Sequence, residues 1–104
     1  MEKLEFHSKI NGTTMNQGAQ DILKTLEQGQ ELMLVREPEN KFDKNAIMVR
    51  DTEGNKLGYI PKDTAVNLSQ DLDNGRVIKC FVSEVTGGTS DKSFRGCNIL
   101  IKEL

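Results

Sequence analysis

Leu34-Val35-Arg36-Glu37-Pro38-Glu39-Asn40-Lys41-Phe42-Asp43-Lys44-Asn45-Ala46-Ile47 is the stretch around which the chain is organised. An apolar run, Leu32-Met33-Leu34-Val35, leads into it, and Ala46-Ile47-Met48-Val49 leads out. A short unbroken apolar run before a turn signal predicts a strand covered on both faces. Pro38 ends that strand, because it has no N–H to give to a ladder. The polar loop between the runs holds two lysines, three carboxylates and one phenylalanine. An exposed ring forgoes roughly 1.5–3 kcal/mol of burial, so Phe42 needs a physical reason. Either it folds the loop down onto the core, or it is a flat surface meant for something else.

Upstream, Leu4, Phe6, Ser8 and Ile10 alternate with Glu5, His7 and Lys9, which predicts a half-buried first strand. His7 falls on its polar face as a solvated residue. Asn11-Gly12-Thr13-Thr14 breaks the strand. Asn16, Thr13 or Thr14 then caps a helix over 17–28, with Ala19, Ile22, Leu23 and Leu26 on one face and Gly29 as its stop. Downstream, a strand at 46–50 turns at Glu53-Gly54-Asn55 into a strand at 56–60. Pro61 ends it, and Lys62 or Asp63 starts a second helix, with Ala65, Leu68 and Leu72 on one face and Asn74-Gly75 as its end. Residues 76–85 are apolar on both alternating faces, so that strand is bent or doubly covered. A flexible loop at 86–93 precedes a last strand from Phe94 or Arg95 to Lys102. The order β-α-β-β-β-α-β-β is mainly β with two helices. It predicts a small, strongly curved, six-stranded antiparallel barrel with helices at its openings.

At 104 residues the chain is one domain, spanning 1–104. Its 14 basic and 16 acidic residues give a net charge of −2. That excludes a protein that coats nucleic acid non-specifically, and any such contact must be local. No apolar run approaches the roughly 18 residues of a membrane span, and the N-terminus lacks a secretion-signal layout. A cytoplasmic, monomeric protein without membrane contact is expected. Cys80 and Cys97, without a CxxC or a Cys/His cluster, read as reduced core thiols rather than zinc ligands.

Nucleophilic catalysis needs a base beside a thiol or hydroxyl, and neither the single His nor the strand cysteines suggest a dyad. No phosphate-binding GxxxxGK[ST] loop is present. Glu37, Glu39 and Asp43 form a weak candidate metal cluster for phosphodiester hydrolysis, but carboxylates among lysines in a turn are usually solvated or paired. No catalytic residue, metal or cofactor is therefore expected. A nucleic-acid strand calls for other parts. A base stacks on a ring such as Phe42 for about 1–3 kcal/mol, and a terminal hydroxyl donates well to a carboxylate such as Asp43. Lys41, Lys44 and Lys62 supply positive charge. A carboxylate also repels phosphate, which favours a free –OH end over an internal position.

Arg36-Glu37-Pro38, Asn40, Phe42-Asp43-Lys44-Asn45-Ala46-Ile47 and Leu57-Gly58-Tyr59-Ile60-Pro61 together resemble the HIRAN domain. That family occurs as stand-alone bacterial or phage proteins and as an appendage of DNA-remodelling helicases. The resemblance implies an OB-like or SH3-like β-barrel. It also implies a non-catalytic module that captures the 3′-hydroxyl end of single-stranded DNA in repair or replication, with a helicase or nuclease as possible partner protein. In its terms Phe42 stacks on the terminal base, Asp43 accepts from the 3′-hydroxyl, and Lys62 and Tyr59 meet backbone phosphate. Phe94 stands near the DNA and acts against duplex. DNA-binding members place Arg-Tyr after the glycine that follows the first strand, whereas Gly12-Thr13 is followed here by Thr14-Met15. Met15 offers a base a poorer surface than a ring.

Each residue also has a purely structural reading. Phe42 is then a loop anchor, Asp43 a turn-former bonded to the amides of Asn45 or Ala46, and Lys62 a solvated first-turn residue. Arg36 pairs with Glu37, Tyr59 is core with its hydroxyl at the rim, and Phe94 is core. The matching alternative function is a protein-interaction module of a phage or mobile-element system without DNA affinity. A metal-dependent nuclease is the third and weakest reading.

Overall fold

Alternation acts first at β1 (Glu5–Lys9), where Phe6 and Ser8 are half-buried and Glu5, His7 and Lys9 are exposed. The computed structural model describes residues 3–104. After β1 come a single 3-10 turn (Thr13–Met15), α1 (Gln17–Leu23), β2 (Glu31–Arg36), β3 (Ile47–Arg50) and β4 (Lys56–Tyr59). Then follow α2 (Lys62–Asp73), β5 (Ile78–Gly87) and β6 (Arg95–Glu103). The strands form one sheet in the order β1-β6-β5-β2-β3-β4, and every neighbouring pair is antiparallel. This is the mainly-β, two-helix, six-stranded antiparallel architecture that the pattern predicts, and the OB-like form that the resemblance implies.

The sheet curls into a half-barrel because two register shifts bend it, between Val49 and Arg50 and between Val82 and Glu84. The second is the bend expected in the long strand. Curling brings the chain leaving β1 against the far edge strand. Asn11 N donates to Tyr59 O at 2.7 Å, and Tyr59 N donates to Asn11 O at 2.9 Å. Inside lie Leu32, Ile47, Val49, Leu57, Ile99 and Ile101, with Leu23 of α1 and Leu68 of α2 fully buried against them. Gly58 lies where the two edges meet. A Cβ there would overlap Asn11 O and Ile10 Cγ2, so only glycine allows the approach.

Four expectations change. The first helix ends at Leu23 instead of 28, because Thr25 N and Leu26 N donate three residues back, to Ile22 O and Leu23 O. Gly29 N then donates to Val82 O and Val82 N to Gln30 O, so β5 claims the chain for the sheet. Asn16 is the cap, its Oδ1 accepting from Gly18 N. Second, β2 is not covered on both faces: Met33 is 45% exposed while Leu32 is buried. Third, the loop over 86–93 shortens, because β5 runs on to Gly87, paired with Arg95. Fourth, Phe94 lies outside the core, 53% exposed. Cys80 and Cys97 are free and buried, and burial pushes their thiols up to about 12 and about 11.

Two arginines fasten the C-terminal end of α2. Arg36 Nε and Nη2 donate to Asp73 Oδ1 and Oδ2 at 2.9 and 3.0 Å. Arg76 Nη1 donates to Asp71 Oδ1 at 2.7 Å, while its Nε and Nη2 donate to Glu103 at 2.9 and 2.6 Å. Glu103 Oε1 also accepts from Leu4 N, so one carboxylate ties β6 to the chain entering β1.

Gly58→Ala must push the two sheet edges apart, and overpacking of this kind costs about 1–3 kcal/mol. Urea denaturation is expected to show a lower midpoint with an unchanged slope. The bonds from Arg76 and Leu4 hold the Glu103 carboxyl down at about 2, below its ordinary 4.5. A depressed carboxylate contributes stability above its unfolded value and loses it as pH falls. Acid unfolding is therefore expected to steepen between about 4.5 and 2, and Glu103→Gln is expected to flatten that limb in thermal melts.

Candidate nucleic-acid interface

The loop between β2 and β3 is built almost entirely by its own polar side chains. Glu37 N donates to Ala46 O and Asn40 N to Glu37 O, which starts the turn. Asn40 Oδ1 accepts from the amides of both Phe42 and Asp43, at 2.9 and 3.1 Å. Asn40 Nδ2 and Tyr59 Oη both donate to Glu37 Oε1. Asp43 Oδ1 accepts from Asn45 N at 2.9 Å, and Ala46 N donates to Asp43 O. Arg36 closes the base, donating from Nη1 to Ala46 O at 2.8 Å and from Nη2 to Lys44 O at 3.1 Å. Asp73 raises the pKa of Arg36 through their hydrogen bond, and Arg36 lowers that of Asp73 in return.

This scaffold holds Phe42 outward, 92% exposed. The loop-anchor reading of Phe42 is thereby corrected: the backbone on both sides of the ring is fixed by Asn40, so the ring cannot reach the core. Asp43 is half-buried and forms the turn-bracing bond that its structural reading expects. Its other oxygen, Oδ2, takes no hydrogen bond among the described residues.

Phe42, Asp43, Tyr59 and Lys62 line one cleft of about 500 Å³, together with Asn11, Asn40, Ala46 and Ile60. Lys62 is exposed at the first residue of α2 and forms no ion pair among the described residues. The α2 ladder begins at Thr64 N and Ala65 N, both donating to Pro61 O, and Asp63 Oδ1 also accepts from Thr64 N at 2.9 Å. Its first amides and the positive end of the helix dipole thus lie beside the lysine. Asp43 and Lys62 thus line the same cleft, one carboxylate and one ammonium group.

The other sequence-derived residues lie apart from this centre. Lys41 and Lys44 are exposed on the loop flanks and do not line the cleft. Met15, 87% exposed, stands on the 3-10 turn and is also outside it. Phe94 borders a separate depression of about 270 Å³ with Lys92, Arg95, Thr13 and Thr14, and Asn11 belongs to both hollows. The Arg36–Glu37 pair does not form, since Arg36 turns to Asp73 and Glu37 to Asn40 and Tyr59. Tyr59 is half-buried with its hydroxyl hydrogen given to Glu37, which makes it a wall more than a phosphate donor. No group of three or more His, Cys, Asp or Glu side chains able to hold a metal exists among the described residues. No helix among them is long and apolar enough to cross a membrane.

Asn11, Asn40, Ala46 and Ile60 are the lining residues that sequence reasoning did not assign to the site, and the two asparagines are the polar ones. Asn40 was legible in principle, because Asn two residues before an exposed ring is a known amide-capping position. Asn11 reads only as a strand breaker until the sheet closes on it.

The family model described as HIRAN domain matches residues 4–98. Over 41 residues the chain is 49% identical to the rabbit (Oryctolagus cuniculus) helicase-like transcription factor, covering 39% of this chain and 4% of that protein. Over 52 residues it is 42% identical to the Fanconi-associated nuclease 1 homolog of Arabidopsis thaliana, covering 50% of this chain and 6% of that protein. The chain thus corresponds to a small part of each of these relatives. The crystal structure of the HIRAN domain of human HLTF superposes with a TM-score of 0.74 at 23% identity, covering 95% of this chain and 74% of that one. A protein from Lactobacillus plantarum superposes at 0.75 and 23% identity, covering 99% of this chain and 100% of that one.

Asn40→Ala removes the acceptor of two amides at the loop tip. It is expected to cost about 1 kcal/mol globally. Hydrogen exchange at the Phe42 and Asp43 amides is expected to accelerate, with the β5 and β6 amides unchanged.

Proposed function

The chain belongs to the HIRAN domain family, and from that premise we propose that it is a DNA-binding module, without catalysis of its own, that receives a free 3′-hydroxyl end. The observation that carries the reading is the display of Phe42 beside an unengaged Asp43 oxygen, in a cleft that Lys62 also lines. Relatives that combine this domain with larger machinery, a helicase-like transcription factor and a Fanconi-associated nuclease homolog, supply a repair or replication setting. Such machinery is the partner class this reading assigns.

The parts act in sequence. The last base stacks on Phe42, which regains burial that the free protein forgoes. Asp43 Oδ2 accepts the hydrogen of the terminal 3′-hydroxyl, and the charge on the carboxylate strengthens that bond. A phosphate at the same place meets a negative group in a cleft and is turned away. Lys62 and the amino end of α2 neutralise the phosphate one step back. Asn11 offers its side-chain amide to the base edge, while the amide of Asn40 is spent on the loop. Beyond the cleft, Phe94 with Lys92 and Arg95 extends the path past Asn11, while Met15 gives an adaptable apolar surface. Lys41 and Lys44 contribute only field. With so few cations engaged, affinity is moderate and its salt dependence shallow.

A second reading, a protein-interaction module without DNA affinity, is favoured by Thr14-Met15 in place of Arg-Tyr and by the net charge of −2. One titration separates them. Labelled oligonucleotides with a 3′-hydroxyl, a 3′-phosphate and a circular backbone are expected to rank in that order in anisotropy. Phe42→Ala is expected to cost about 1–3 kcal/mol of affinity. Asp43→Ala is expected to erase the preference for hydroxyl over phosphate. Lys62→Ala is expected to reduce the log–log salt slope by about 0.7. Equal, negligible binding of all three oligonucleotides supports the protein-interaction reading. Magnesium-dependent loss of the oligonucleotide means a nuclease.

A further inference from the structure

The free edge of β1 is a second unfilled feature, and it lies outside the cleft. Backbone groups of an antiparallel strand point alternately to its two sides. Ile10 N donates to Cys97 O and Leu4 O accepts from Glu103 N, so the even-numbered residues of β1 face β6. The odd-numbered residues face the other way. Asn11, the last of that series, is taken by Tyr59. Glu5, His7 and Lys9 precede it, and no strand pairs with them on that side among the described residues. After Pro61 the opposing chain leaves the sheet as α2, so it offers β1 a helix where a strand partner would lie.

Between this edge and α2 run two adjoining grooves. One, of about 590 Å³, is lined by His7, Ser8 and Lys9 on the strand side and by Pro61, Asp63 and Thr64 on the helix side. The other, of about 360 Å³, is lined by Leu4 and Phe6 opposite Asp63, Asn67, Leu68 and Asp71. The inner face therefore has an apolar floor and a wall carrying two carboxylates. Asp71 is engaged by Arg76, whereas Asp63 forms no ion pair among the described residues.

The geometry points to a peptide site: an extended segment of a partner protein adds as a strand to β1, with Arg or Lys at its inward positions. Main-chain bonding to Glu5, His7 and Lys9 fixes the register, as in other strand additions to exposed edges. The stem of an inward Arg or Lys lies on Leu4 and Phe6, and its charge reaches Asp63. The five residues of β1 span roughly 17 Å, which sets the length of the segment. A second copy of this chain fits less well, because a whole sheet arriving at β1 meets α2, while one strand slips between them.

The probe is an acetylated, amidated heptapeptide alternating Thr and Arg, titrated into the full chain with amide exchange read by NMR. Saturable binding with slowed exchange at Glu5, His7 and Lys9 is expected. Methylating alternate peptide nitrogens, or replacing each Arg by Glu, is expected to weaken it by about tenfold or more. His7→Pro deletes an outward N–H without removing a bond to β6, so it is expected to keep the fold and 3′-end DNA binding while losing the peptide. Asp63→Lys, which leaves the β1 backbone untouched, is expected to weaken the Arg peptide and improve the Glu one. No binding up to about 1 mM, or protection elsewhere on the surface, overturns the proposal. Protection of the three amides that grows with protein concentration alone, with dimers in sedimentation, overturns it in favour of self-association.

Discussion

One pair of backbone hydrogen bonds, between Asn11 and Tyr59, fixes where everything else goes. It joins opposite edges of a six-stranded sheet and so turns an open surface into a half-barrel. The closure depends on the missing side chain at Gly58, since any Cβ there overlaps the partner backbone. It also ends almost as soon as it begins. On one side Pro61 takes the chain out of the sheet into α2; on the other the 3-10 turn takes it toward α1. The cleft opens beside this bridge, and the outer edge of β1, which no strand pairs among the described residues, lies just beyond it. Both surfaces follow from closing a barrel at one point rather than along a whole strand.

The loop that carries Phe42 shows how exposure and rigidity are combined. An apolar ring in water is tolerated only if the backbone has no freedom to hide it. Asn40 fixes the two amides at the tip, Asp43 the next turn, and Glu37 joins the loop to Tyr59 of β4. Arg36 then ties the loop's base to the end of α2. α2 is anchored at that end by Arg36 and Arg76, and Lys62 at its opposite end lines the cleft. The same guanidinium thus joins the loop that carries the ring to the helix that carries the lysine.

Under the proposed function, the charge pattern would suit a terminus better than a continuous polyanion. A protein with net charge −2 has no general attraction for nucleic acid. In the proposed function, Asp43 and Lys62, lining one cleft, would distinguish a hydroxyl from a phosphate by sign, at the scale of one nucleotide. Selectivity of this kind is local electrostatics in a partly enclosed space, and it costs affinity by limiting how many phosphates are neutralised.

The sequence by itself determined the strand and helix order, the main turn positions and the bracing of the Phe42 loop by Asp43. These are short-range matters: alternation, proline's missing N–H and the self-bonding of Asn and Asp act over a few residues. It also placed Phe42, Asp43 and Lys62 as a group through their resemblance to the HIRAN pattern. Tertiary structure alone decided the rest. Periodicity favoured a longer α1, but β5 offered better hydrogen bonds to Gly29 and Gln30. Met33 and Phe94, apolar by composition, lost their cover because curvature left them outside. Arg36 chose Asp73, 37 residues away, over its neighbour Glu37. Asn11 became part of the cleft only when the sheet closed, since which residues meet across a barrel depends on register and bend, and no local pattern carries either.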